Sequence, residues 1–142
     1  MITNNVPYVF FYDSFLTGTG DRHFDAWLHG AVYHLSEGYV QARLYDLGAY
    51  PAAVTSNQKN DKVYGTLFRL RRPDFLDRLD RSELYRPDVH HHSEFIRRLT
   101  QVKLLPARRA FTCWVYFYSA TVAGRPRIRQ GDYREYLAAR RC

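Results

Sequence analysis

Two segments lying far apart in the chain, Val6 to Tyr12 and Phe111 to Tyr118, are apolar at nearly every position. A strand with one face in water alternates apolar and polar residues, whereas a strand apolar on both faces is covered on both. Both segments are therefore expected in the middle of a sheet. With 142 residues to cover them, the chain reads as one domain, residues 1–142, large enough for a real core without covalent staples.

The remaining elements arrange themselves around those two strands. Tyr39 to Tyr45 alternates, with Val40, Ala42 and Leu44 on one face and Gln41 and Arg43 on the other, the pattern of a half-buried strand. Ala52–Thr55, Val63–Leu70 and Phe95–Leu105 read as further strands, the last ended by Pro106. Gly65 inside a strand marks a bulge or a close backbone approach. Asp25–His29 reads as a short helical segment, Pro73–Glu83 as a helix started by its proline, and Tyr133–Arg140 as a last helix capped by Asp132. Leu47–Pro51 is a turn, Ser56–Lys62 a polar hairpin connection, Tyr85–Ser93 a loop and Ala123–Gly131 a basic loop. This order lacks regular βαβ alternation, so the expected class is α+β, a mixed sheet or open barrel with few helices.

Several function classes are disfavoured. The net charge of +7 is spread along the chain and interleaved with acids, as in Asp77-Arg78-Leu79-Asp80-Arg81, so nucleic acid is not an expected partner. No apolar stretch has the length of a membrane span, and Met1 to Asn5 lack the features of a signal peptide. Two cysteines, Cys113 in an apolar run and Cys142 at the last position, make no disulfide framework, which points to a reducing, cytoplasmic setting. Gly18-Thr19-Gly20 begins like a dinucleotide fingerprint, but His23 stands at the third glycine position and no βαβ unit follows. His90-His91-His92 lacks a completing ligand and reads as surface loop. Ser14 lacks the nucleophile-elbow glycines of a serine hydrolase.

One residue stands out as a candidate for chemistry. In the helix at 73–83, Phe75, Leu76 and Leu79 share one face, and Glu83 follows at four residues from Leu79 and seven from Leu76. A carboxylate on an apolar stripe at the carbonyl end of a helix is disfavoured by desolvation and by the helix dipole, and both effects raise its pKa. Such a glutamate can serve as a general base near neutral pH. At the end of the first strand, Tyr12-Asp13-Ser14-Phe15 forms a turn whose backbone N–H groups could hold an anion. An anion-gripping loop beside a desolvated base suits a small zwitterionic substrate.

These residues sit in motifs that resemble the gamma-glutamylcyclotransferase-like proteins. That family has Tyr-Gly-Ser-Leu at the end of its first strand, where this chain has Tyr12-Asp13-Ser14-Phe15-Leu16-Thr17-Gly18. Its Leu-Tyr-Asp-Leu-Gly-x-Tyr-Pro-Ala stretch is matched by Leu44 to Ala52, and its Val-x-Gly-x-Leu-x-x-Leu strand by Val63 to Leu70. The family helix ending Leu-Asp-x-x-Glu-Gly is matched by Leu79-Asp80-Arg81-Ser82-Glu83-Leu84. Trp114-Val115-Tyr116 and Gly131-Asp132-Tyr133-Arg134 match its last motifs in the same order.

The resemblance implies a small mixed β-barrel of about five to seven strands with flanking helices. It implies a cavity between the loop at Tyr12, Asp13, Ser14, Phe15 and Leu16, which binds the glutamyl head, and Glu83, which takes a proton from the α-amino group. The freed amine closes on the side-chain amide and releases 5-oxoproline, with no metal or organic cofactor. Tyr116 maps onto a tyrosine lining that cavity, and either Arg97 or Arg98 onto a family arginine. The expected partner is a small γ-glutamyl substrate, with a homodimer left open. Three positions depart from the pattern: Asp13 replaces a glycine, Phe15 a leucine and Leu84 a glycine. Aspartate restricts the loop and adds negative charge where a carboxylate should bind. Two readings therefore stand: a cyclotransferase with Glu83 as base, or a non-catalytic or altered-substrate relative that binds a small zwitterionic ligand.

Overall fold

The computed structural model describes residues 6–12, 22–48, 50–84 and 95–140, the side chains of 22, 24, 25 and 81–84 excepted. In chain order the elements are β1 (Tyr8–Phe11), α1 (Arg22–Ala31), β2 (Val32–Asp46), β3 (Pro51–Thr55), β4 (Lys62–Leu70), α2 (Phe75–Leu84), β5 (Phe95–Leu104), β6 (Arg109–Tyr118), β7 (Arg127–Ile128) and α3 (Tyr133–Arg140). The two apolar segments become neighbours. β1 and β6 run parallel with Val9 opposite Trp114, while β4 flanks β1 and β5 flanks β6, both antiparallel. β2 pairs with β4 along one edge and with β5 through Gly38–Val40, closing a five-strand mixed barrel. Its far half pairs with β3 and β7, which extend the sheet beyond the barrel.

Two apolar layers hold this arrangement. Phe10, Val40, Val63, Leu67, Val102, Cys113, Val115 and Phe117 come from all five barrel strands and form one cluster with Tyr12 and Tyr133. The alternate residues Val9, Phe11, Leu70, Phe95, Trp114 and Tyr116 pack with Leu28 of α1 and Leu76 and Leu79 of α2. The first cluster draws on all five barrel strands and is the barrel interior, with Tyr133 of α3 packed against it; the second, packed against α1 and α2, is the covered outer face. β1 and β6 are apolar on both faces because each lies between these layers. Gly65 sits where β4 crosses closest to β1. A Cβ there would overlap the Phe11 carbonyl oxygen and lie 2.9 Å from Phe10 Cζ. The interior glycine is thus a close backbone approach.

The Leu44–Ala52 motif has a structural role. Asp46 is buried and accepts the Gly48 N–H at 2.7 Å, which stabilises the turn, where Gly48 takes φ +103°. The same carboxylate accepts the Tyr136 hydroxyl at 2.7 Å and Arg140 Nη1 at 3.1 Å, tying α3 to β2. Asp132 caps α3 as expected, its Oδ1 accepting the Arg134 and Glu135 N–H groups at 3.0 and 3.3 Å.

Most sequence-based boundaries shift by one or two residues, as α2 does from Pro73–Glu83 to Phe75–Leu84, and three differences are larger. β2 begins at Val32, not Tyr39, because its first half is exposed and broken by an irregularity between His34 and Ser36, so no alternation marks it. The basic loop at 123–131 contains the two-residue β7, held by pairing with β2. The first helix spans Arg22–Ala31, longer at both ends than Asp25–His29. Among the described residues no helix is long and apolar enough to cross a membrane.

Candidate active site

α2 is positioned by its apolar stripe. Leu76 and Leu79 are buried and Phe75 half-buried, with Trp27 of α1 packed edge-on to Phe75 at 5.4 Å. The chain reaches α2 from the end of β4, where the Leu70 N–H donates to the Pro7 carbonyl at 2.7 Å, beside the start of β1. α2 then runs in the direction of β1 and β6, and its Asp80 meets Tyr116 on β6.

That meeting point is a polar cluster. Arg97 Nε donates to Asp80 Oδ1 at 2.7 Å and Arg97 Nη2 to Oδ2 at 3.0 Å, a two-pronged ion pair. The Tyr116 hydroxyl donates to the same Oδ1 at 2.6 Å. Arg97 and Tyr116 are direct cross-strand partners on β5 and β6. The guanidinium also lies over the Trp114 ring, 4.1 Å from its centroid, and Trp114 Nε1 donates to the Val6 carbonyl at 3.1 Å. The Asp80 and Arg97 side chains are 27% and 20% exposed, so the pair is largely withdrawn from water. Arg98 is exposed and lies on the opposite side of β5, so of the two arginines Arg97 alone faces α2.

Tyr12 enters the same structure from the other side of the sheet. Its ring belongs to the barrel interior, its hydroxyl donates to the Tyr116 carbonyl at 2.6 Å, and the same oxygen accepts the Ala53 N–H at 3.2 Å. Tyr116 therefore links Tyr12 through its carbonyl and Asp80 through its hydroxyl.

The sequence-predicted site residues divide accordingly. Tyr12 and Tyr116 are brought together and buried. Asp13, Ser14, Phe15 and Leu16 lie outside the described residues, as do His90, His91 and His92. Glu83 is in the last turn of α2, its side chain likewise outside the description. Its backbone stands three residues beyond Asp80, about 4.5 Å further along the helix axis. Val9 is level with Trp114, so Phe11 is level with Tyr116. The end of β1 and the last turn of α2 thus lie at the same end of the barrel, flanking Tyr116. Sequence reasoning missed Asp80. The signal was present, since Asp80 is four residues past Leu76 just as Glu83 is four past Leu79, so both carboxylates border one apolar stripe.

Elsewhere, Cys113 is a free thiol that burial pushes up to about 12, so it is unreactive near neutral pH. Among the described residues no group of three or more His, Cys, Asp or Glu side chains could hold a metal ion.

Solved structures share this architecture. Protein ytfP of Escherichia coli is 26% identical, with a TM-score of 0.62 over 92% of this chain and 98% of that one. An AIG2-like protein of Mus musculus is 18% identical, with a TM-score of 0.62 over 82% and 80%. The uncharacterised PH0828 of Pyrococcus horikoshii is 16% identical, with a TM-score of 0.62 over 94% and 95%. No curated protein matches the chain in sequence. The family described as "Gamma-glutamyl cyclotransferase, AIG2-like" matches residues 9–135, from β1 through the start of α3. With a cyclotransferase-type barrel and a family match over nearly its whole length, the chain belongs to the gamma-glutamyl cyclotransferase, AIG2-like family.

Proposed function

We propose that the protein releases 5-oxoproline from a small γ-glutamyl amide or peptide, with Glu83 as general base. The observation that carries this reading is the Asp80–Arg97–Tyr116 cluster, which anchors the turn of α2 preceding Glu83 next to the strand end that leads into the Tyr12–Leu16 loop. Backbone groups of Tyr12, Asp13, Ser14, Phe15 and Leu16 hold the substrate's α-carboxylate and ammonium, and Tyr116 forms part of the wall between loop and helix. Glu83 removes a proton from the α-ammonium. The freed nitrogen attacks the γ-carbonyl carbon, closing a five-membered ring. The carbon–nitrogen bond to the leaving amine then breaks as that amine takes the proton back from Glu83, and the ring nitrogen gives up its second proton through the same carboxylate, so that the amine leaves as an ammonium. No water is consumed, and the reaction is intramolecular, so its barrier falls mainly through orientation. A buried free Cys113 is in keeping with a cytoplasmic setting for this chemistry.

The test is 5-oxoproline release from a panel of γ-glutamyl dipeptides and γ-glutamyl amines. Glu83→Gln is expected to lower turnover at least about a hundredfold; equal turnover removes Glu83 as the base. One observation favours the second reading, a relative that binds a zwitterionic ligand without turnover or takes a different substrate. Asp13 stands where the family has glycine. Asp13→Gly separates the two: a gain in release assigns the aspartate a suppressing role, and no gain leaves the loop competent as it stands.

A further inference from the structure

We propose that Ala53, Tyr12, Tyr116, Asp80 and Arg97 form one hydrogen-bonded truss that sets the spacing between the end of β1 and the last turn of α2. Tyr12, Tyr116, Asp80 and Arg97 are then positioning residues. The significance for turnover rests on the cyclotransferase reading; the mechanical claim does not.

The truss is continuous through one residue. The Ala53 N–H donates to the Tyr12 hydroxyl, which donates to the Tyr116 carbonyl. Tyr116 spans the sheet, its hydroxyl donating to Asp80 on α2, and Arg97 holds the other face of that carboxylate with two bonds. Tyr12 belongs to the barrel interior and Leu79 to the outer layer, so Tyr12 and α2 lie in different clusters with Tyr116 between them. Tyr12 is also the residue from which the loop departs, and Asp80 precedes Glu83 by less than one helical turn. A displacement at either end changes the gap in which a base and an ammonium must meet. Both hydroxyls are donated inside the fold, which gives them a part in holding the protein in shape.

The experiment uses Tyr12→Phe, Tyr116→Phe, the double variant, and Tyr136→Phe as control. The control also removes a tyrosine hydroxyl that donates to a carboxylate, Asp46, but lies outside the truss. The first readout is amide hydrogen exchange at residues 81–84. Tyr116→Phe and Tyr12→Phe should each speed exchange there about tenfold or more relative to the rest of the protein, and the double variant no more than Tyr116→Phe alone. Tyr136→Phe should leave that turn as in the wild type. The second readout is kinetic: both truss variants should lower kcat about ten- to a hundredfold with KM within about twofold. Unchanged exchange at 81–84 in Tyr12→Phe, or a uniform rise matching the control, overturns the truss. A raised KM with kcat retained also overturns it, because the hydroxyls would then be touching substrate. If the wild type releases no 5-oxoproline from any substrate, the functional reading falls and the exchange measurement still decides the truss.

Discussion

Asp80→Ala is expected to loosen the attachment of α2 to the sheet. It deletes three hydrogen bonds to one carboxylate, two from Arg97 and one from Tyr116, at 2.6 to 3.0 Å. Each has an ionised partner, worth about 1.5–3 kcal/mol net when withdrawn from water. They share one small group, two of them a single oxygen, so the sum is not the cost. The side chains retain 27% and 20% exposure, which admits some water to the stranded guanidinium and reduces the cost further. Against that, Arg97 Nη1 is already buried without a hydrogen-bond partner among the described residues, so losing Asp80 leaves the guanidinium with only the Trp114 ring. The balance is a loss of about 2–4 kcal/mol. Urea unfolding followed by tyrosine and tryptophan fluorescence measures it. Asp80→Asn, which keeps an acceptor but not the charge, should cost about half as much, and the Asp80→Ala/Arg97→Ala pair should fall short of additivity by about 1–2 kcal/mol. A loss below about 0.5 kcal/mol would place this pair with ordinary surface ion pairs and refute the claim that it anchors α2.

Two further outcomes follow from the packing and the charges. Gly65→Ala should cost about 2 kcal/mol or more in thermal or urea unfolding, because its methyl group meets the Phe11 backbone and β1 must shift. Asp61 is held down to about 2 by hydrogen bonds from Ser56 and Arg43 and by Arg127. A depressed carboxylate contributes stability that is fully present above its unfolded pKa, about 4, and is lost as pH falls through about 2. The stability gap between wild type and Asp61→Asn, measured by urea unfolding at successive pH values, should therefore be constant above about pH 4 and shrink between about pH 4 and 2; a gap that widens on acidification contradicts the assignment.

What the sequence alone determined is what local chemistry encodes. Apolarity on both faces put β1 and β6 at the centre, the 75/76/79 stripe placed α2 against the sheet, Asp132 announced its helix, and Gly65 marked a close approach. The family motifs nominated Glu83 and the distant Tyr12–Leu16 loop as a site. Only the tertiary structure decided which charged residues face one another. Asp80 reaches Arg97 across 17 residues and Tyr116 across 36, and Tyr12 reaches Tyr116 across 104. Periodicity reports which side of its own element a residue occupies, but not which element folds against that side. It could not choose between Arg97 and Arg98, whose difference is a one-residue alternation that acquires meaning only once α2 covers one face of β5. Nor could it show the first half of β2, where pairing to β4 holds an exposed, irregular segment that no pattern of burial marks.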